Sequence, residues 1–93
     1  MKLTKIFTFL KDNNILVEIK SALIKLANKN VSELKHNIAV YLTDNSSKIK
    51  ESLINYILKE IELPFYLKLF KPVVKKVISK NIDKLTKFII DIL

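Results

Sequence analysis

The amino-acid sequence predicts an all-α protein, a single domain folded as a compact antiparallel bundle of four to five helices. Three observations carry that expectation. Apolar residues recur at helical spacing along nearly the whole chain. No stretch alternates in the way of a strand with a plausible partner. The 93 residues, 49% hydrophobic and 28% charged, have the composition of a folded chain and enough length to bury one core.

The elements follow in order. Leu3, Ile6, Phe7 and Leu10 stand at i, i+3, i+4 and i+7 and predict a short first helix ending near Lys11, with Asp12, Asn13 and Asn14 as a cap-and-turn cluster. A second helix is predicted from Ile15 to Ala27. Ile15, Ile19, Ala22, Leu23 and Leu26 form its buried face, while Val17 and Ile24 widen the apolar surface onto the flank. Asn30 with Glu33 three residues on resembles a capping box and opens a third helix, whose expected inward residues are Val31, Leu34, Ile38, Tyr41 and Leu42. The stretch "TDNSSK" breaks it. A fourth helix, Ser47 to Leu63, carries Ile49, Leu53, Ile57 and Ile61 at every fourth position, joined by Ile54 and Leu58 in an arc of about half the circumference. So wide an arc suits a helix with several neighbours, and this one is expected to be central.

Pro64 ends the fourth helix because the residue before a proline is pushed out of the helical region. Pro72 suits the first position of the last helix, expected to run from Val73 to Leu93 with Val74, Ile78, Ile82, Leu85, Ile89 and Ile92 as its seam and Asn81 as its weak point. Between the prolines, "FYLKLFK" is expected as a turn or a helix of one to two turns. The chain has no glycine. Asn13, Asn14, Asn28, Asn30 and Asn45 fall at predicted helix ends, and asparagine is the next best residue for a left-handed cap.

The same absence excludes chemistry. Phosphate-cradling loops, dinucleotide fingerprints and nucleophile elbows need glycine where the backbone approaches a ligand or turns with positive φ. With no cysteine there is neither a disulfide framework nor a thiolate nucleophile or metal ligand. His36 is the single histidine and forms a Glu-x-x-His half-motif with Glu33. A di-iron bundle needs two such halves facing inward, whereas His36 projects to the polar side of its helix, so a solvated histidine and no metal are expected. No serine stands in a pattern that would join His36 and an acid in a triad, and Glu60 and Glu62 point to different sides of their helix. The expectation is a non-enzyme without cofactors.

All 17 basic residues are lysine, and the formal net charge is +8. Together with 14 isoleucines and 8 asparagines this is the residue usage of an AT-rich genome, in which lysine is the default surface residue. The charge is nonetheless uneven: residues 1–30 carry +4, residues 31–63 carry −1 and residues 64–93 carry +5. Lys76, Lys80, Lys84 and Lys87 fall within about 80° of one another on a helical wheel, preceded by Lys68 and Lys71. Such a stripe suits phosphates or an acidic protein. The competing reading is an ordinary wet helix face, since Asp83 and Asp91 share it and Asp83 with Lys87 makes an acid-first i, i+4 pair. That reading is the stronger of the two on the sequence.

Phe65, Tyr66 and Phe70 are three of the eight aromatic residues and sit within nine positions bounded by the prolines. They suit a lid over an open end of the core, or a patch that docks at a partner or a lipid headgroup boundary. The lid is preferred because large exposed patches are uncommon on monomers. The functional expectation is a binding protein that offers Lys68, Lys71, Lys76, Lys80, Lys84 and Lys87, with Phe65, Tyr66 and Phe70 nearby, to a protein partner. An anionic membrane surface and nonspecific nucleic acid are the alternatives. Arginine, the usual reader of guanine, is absent, which disfavours specific DNA readout. Apolar arcs wider than one neighbour requires also allow a homodimer. In size, charge and architecture alone the chain resembles small basic helical bacteriocin-immunity proteins, a likeness that implies a peripheral membrane role. The N-terminal apolar run stops at Lys11 with no cleavage site after it, and lysines interrupt every hydrophobic stretch before membrane-spanning length. A cytoplasmic protein, with peripheral membrane contact as the variant, is expected.

Overall fold

Residues 14–93 are described by the computed structural model, and the predicted first helix lies outside them. The apolar periodicity of these residues resolves into six helices and no strand: α1 (Asn14–Lys29), α2 (Val31–Thr43), α3 (Ser47–Glu60), α4 (Phe65–Lys68), α5 (Lys71–Lys80) and α6 (Ile82–Ile92). The helix count exceeds the expected four to five because the insert forms a turn of its own and the final helix is two.

One contiguous core joins all six. Ile19, Leu23, Leu34, Ile57, Leu67, Val74, Ile78, Leu85 and Ile89 are fully enclosed, and every helix contributes to them. Each such aliphatic side chain contributes ~1.5–3 kcal/mol by leaving water. In α1 the expected face of Ile15, Ile19, Ala22, Leu23 and Leu26 is buried throughout, and Ala27 joins it. The small Ala22 and Ala27 suit close approach of neighbouring helices. The principal neighbours of α1 are α2, α5 and α6, whereas those of α3 are α2 and α5. The central helix is therefore α1 and not the expected α3. The breadth of α3 has another use: Leu53, Ile54 and Ile57 are buried, with Ile49 and Leu58 packed partly against the core beside them.

Two expected core residues of α2 lie outside. Val31 is 40% and Leu42 59% exposed. On the wheel both fall on one flank, about 50–75° from the centre of the buried Leu34–Ile38–Tyr41 stripe, and α1 and α3 cover the stripe without reaching that flank.

Helix ends are set by several local devices. Ser46 caps α3 by accepting from the Ile49 amide at 3.4 Å, and the Asp44 carboxylate accepts from the Ser46 amide at 3.1 Å. Asn30 makes no side-chain cap bond to α2, so the expected capping box does not form. At Asn30, Asp44, Ile61, Leu69 and Asn81 φ stays between −66 and −136°. These junctions proceed without the left-handed residue that a glycine would supply. At Ile61 the chain turns extended (ψ 142°), three residues before Pro64, which ends α3 short of the expected Leu63 and still buries Ile61 and Leu63.

A local competitor for the helix hydrogen bond stands at the break at Asn81. Its side-chain amide donates to the Val77 carbonyl at 2.9 Å, the acceptor that the helix would give its backbone amide. The backbone amide is shared between Val77 and Ile78 carbonyls at 3.1 and 3.2 Å, and the residue leaves the helical region at φ −116°, ψ 19°. Local competition of this kind is what makes asparagine a poor residue for a helix interior.

Polar contacts tie the helices laterally. The Tyr41 hydroxyl of α2 donates to the Asp83 carboxylate of α6 at 2.5 Å. That bond, with burial and the carboxylate charge behind it, pushes the Tyr41 pKa up to about 12. The expected Asp83–Lys87 pair is replaced by this tether. Lys75 of α5 meets Glu51 of α3 at 2.8 Å, and the Lys20 ammonium lies 5.3 Å from the centroid of Phe88, joining α1 to α6.

Candidate binding surface

The aromatic insert owes its shape to Leu67. Pro64 accepts from the amides of Leu67 and Lys68, at 3.0 and 3.2 Å, and winds the single turn of α4. Leu67 then enters the core completely. At 100° per residue, positions two before and two after Leu67 must point almost directly away from it. Those positions are Phe65 and Leu69, which are 76% and 63% exposed. Tyr66 and Phe70 stand at the sides and are half-buried, Tyr66 packed against the core. The insert is thus neither the lid nor the patch of three rings. Leu67 closes the core, and a Phe65–Leu69 pair, one helical turn apart, faces outward.

The signal that would have identified Leu67 is present in the sequence. Leu63, Leu67, Phe70 and Val74 stand at i, i+4, i+7 and i+11, a helical seam that passes through the insert and hides behind its more conspicuous rings. All but Phe70 are buried.

The six lysines of the predicted stripe are all exposed, and none forms an ion pair with another described residue. Their arrangement differs from a single stripe. Lys76 and Lys80 belong to α5, while Lys84 and Lys87 lie on α6 beyond the break at Asn81. Lys68 and Lys71 join two lysines from elsewhere in the chain around a cleft of about 440 Å³.

That cleft forms where four helices stop or start. Lys29 comes from the last turn of α1, Lys59 from the last turn of α3, Lys68 from α4 and Lys71 from the start of α5. Leu58, Ile61 and Leu63 supply apolar wall, and Glu60 and Glu62 are the acids, so four ammonium groups oppose two carboxylates. Lys29 pairs with Glu62 at 3.5 Å, both side chains more than half exposed. A pair so open to water contributes little and is readily exchanged. Lys29 and Lys59 also complement the carbonyl ends of their helices, a stabilising placement in its own right. Neither could be assigned to the site from the sequence, because they are 30 residues apart and only the meeting of the α1 and α3 ends joins them.

His36 and Glu33 are both exposed on α2. Among the described residues no helix is long and apolar enough to cross a membrane. What the fold and surface define is a class: an all-helical protein with a basic, partly concave face and an outward apolar pair beside it. Comparison with protein-family models, curated proteins and solved structures gives no match.

Proposed function

We propose that this is a non-catalytic binding protein, a single-domain antiparallel bundle that uses its lysine-bearing α4–α6 surface to engage a negatively charged partner. The observation that carries the reading is the state of the six lysines: exposed, and without a carboxylate partner among the described residues. Unneutralised ammonium groups on one third of a chain of net charge +8 raise the local potential and attract anions. The non-catalytic part rests on residue chemistry: a chain without glycine or cysteine, whose single histidine is solvated, offers poor means of building a nucleophile or an oxyanion hole.

An acidic protein, the partner expected from the sequence, would be held by charge at the rim of its interface, and such contacts chiefly set association rate and salt sensitivity. The test uses immobilised polyglutamate and the variant K76A/K80A/K84A/K87A. The intact chain should be retained at low salt and the variant markedly less, with unchanged circular dichroism. Equal retention of the two would refute the proposed surface.

A further inference from the structure

Three features of the α4 corner point to one kind of partner. The apolar pair, Phe65 and Leu69, stands on a short single turn with both side chains open to solvent, so it is free to enter a soft phase. Lys68 lies between the two in sequence and Lys71 follows two residues after Leu69, so each is adjacent to the apolar pair along the chain. Both of those lysines also line the cleft with Lys29 and Lys59, where an anionic group could sit beside the apolar walls of Leu58, Ile61 and Leu63. Exposed apolar residues, cations next to them along the chain and a basic cleft that shares those cations suit an anionic bilayer, with its acyl boundary and its phosphates. The cleft volume of about 440 Å³ is within the range of small-ligand sites and ample for a headgroup.

We propose that the α4 corner binds the surface of an anionic phospholipid bilayer, with Phe65 and Leu69 seated at the headgroup–acyl boundary and a lipid phosphate held in the cleft by Lys29, Lys59, Lys68 and Lys71. This rests on the electrostatic reading above and names the partner for part of that surface. Phe65 and Leu69 contribute the salt-resistant part of the attachment, and the lysines contribute its preference for anionic lipid. Lys29, held only weakly by Glu62 at 3.5 Å in open water, exchanges that carboxylate for the phosphate, and the exposed Glu62 turns to solvent.

Co-sedimentation of the full chain with mixed phosphatidylcholine–phosphatidylglycerol vesicles, and with phosphatidylcholine alone, tests this at low and high salt. Binding should require phosphatidylglycerol and survive in part at high salt. K68A/K71A should weaken it on the order of 10-fold or more, at ~1 kcal/mol per lysine near the surface, and more than the charge-matched K84A/K87A. F65A/L69A should abolish the salt-resistant fraction while leaving circular dichroism unchanged, because both side chains are exposed. Equal losses from the two lysine pairs would overturn the cleft, and an unaltered F65A/L69A would overturn the bilayer contact. Salt-sensitive retention on polyglutamate or DNA without vesicle binding would refute this inference and leave the electrostatic reading standing. Failure with every polyanion at low salt would remove both.

Discussion

The Tyr41 hydroxyl and the Asp83 carboxylate, 42 positions apart, form the one polar side-chain bond that links α2 to α6 among the described residues. A tyrosine in an apolar seam is easily read as core, and its ring is indeed buried. The bond was not legible, because Asp83 has an equally good local partner in Lys87 and only the packed fold brings Tyr41 to it. Tyr41→Phe should cost about 1.5 kcal/mol in chemical denaturation, the low end for a hydrogen bond to a charged acceptor, since Asp83 can rehydrate. The pH dependence has a definite sign. The folded-state pKa is raised from 10.0 to about 12, so this stabilisation is complete below the unfolded value and is lost as pH rises from 10.0 through about 12. Phenolate absorbance during alkaline titration should show a late-ionising tyrosine that disappears in Tyr41→Phe. Tyr56 is also raised, by burial first and then by Glu33 and Glu60, so the comparison with the variant makes the assignment. Leu67→Ala should be the most damaging change in the insert, costing about 2–5 kcal/mol as a fully buried leucine, while Phe65→Ala should alter stability little.

Helices were the most legible elements, for a physical reason. A buried stripe needs only the 3.6-residue period, which the sequence of α1, α3 and the α5–α6 region displays without ambiguity. What periodicity does not encode is where a stripe narrows or a helix stops. Val31 and Leu42 continue the pattern of α2 yet have no neighbour to cover them, and α3 gives up its last turn because the chain must turn extended before Pro64. The break at Asn81 is the clearest case, since the apolar seam runs through it uninterrupted while one side-chain amide takes the Val77 carbonyl. If that competition causes the break, Asn81→Ala should move the backbone chemical shifts of residues 79–83 toward helical values. Unchanged shifts would instead assign the break to packing of α5 and α6 on α1.

At the scale of the whole molecule the lysines, which are all 17 of the basic residues, set the electrostatic character of the fold. Their abundance is visible in the composition, and the six of the predicted stripe stand in the basic last third of the chain. The place of Lys29 and Lys59 beside Lys68 and Lys71 is not visible there, since a cleft made from the ends of α1 and α3 exists only once α1 has gathered α2, α5 and α6 around it. The radius of gyration of 13.2 Å, against about 12 Å for an ideally compact chain of this length, describes a slightly elongated body of 42 × 27 × 19 Å. On so small a body a net charge of +8 acts at distances comparable to the Debye length, about 8 Å at physiological ionic strength. Ionic strength is accordingly the variable to which association should respond most strongly. The most direct test is the affinity of the intact chain for double-stranded DNA, used as a polyanion of known charge spacing, over a series of salt concentrations. Log affinity should fall linearly with log salt at a slope of about −0.9 for each phosphate neutralised, and a slope of several units is expected. Absence of binding at the lowest salt, or affinity indifferent to salt, would contradict the account.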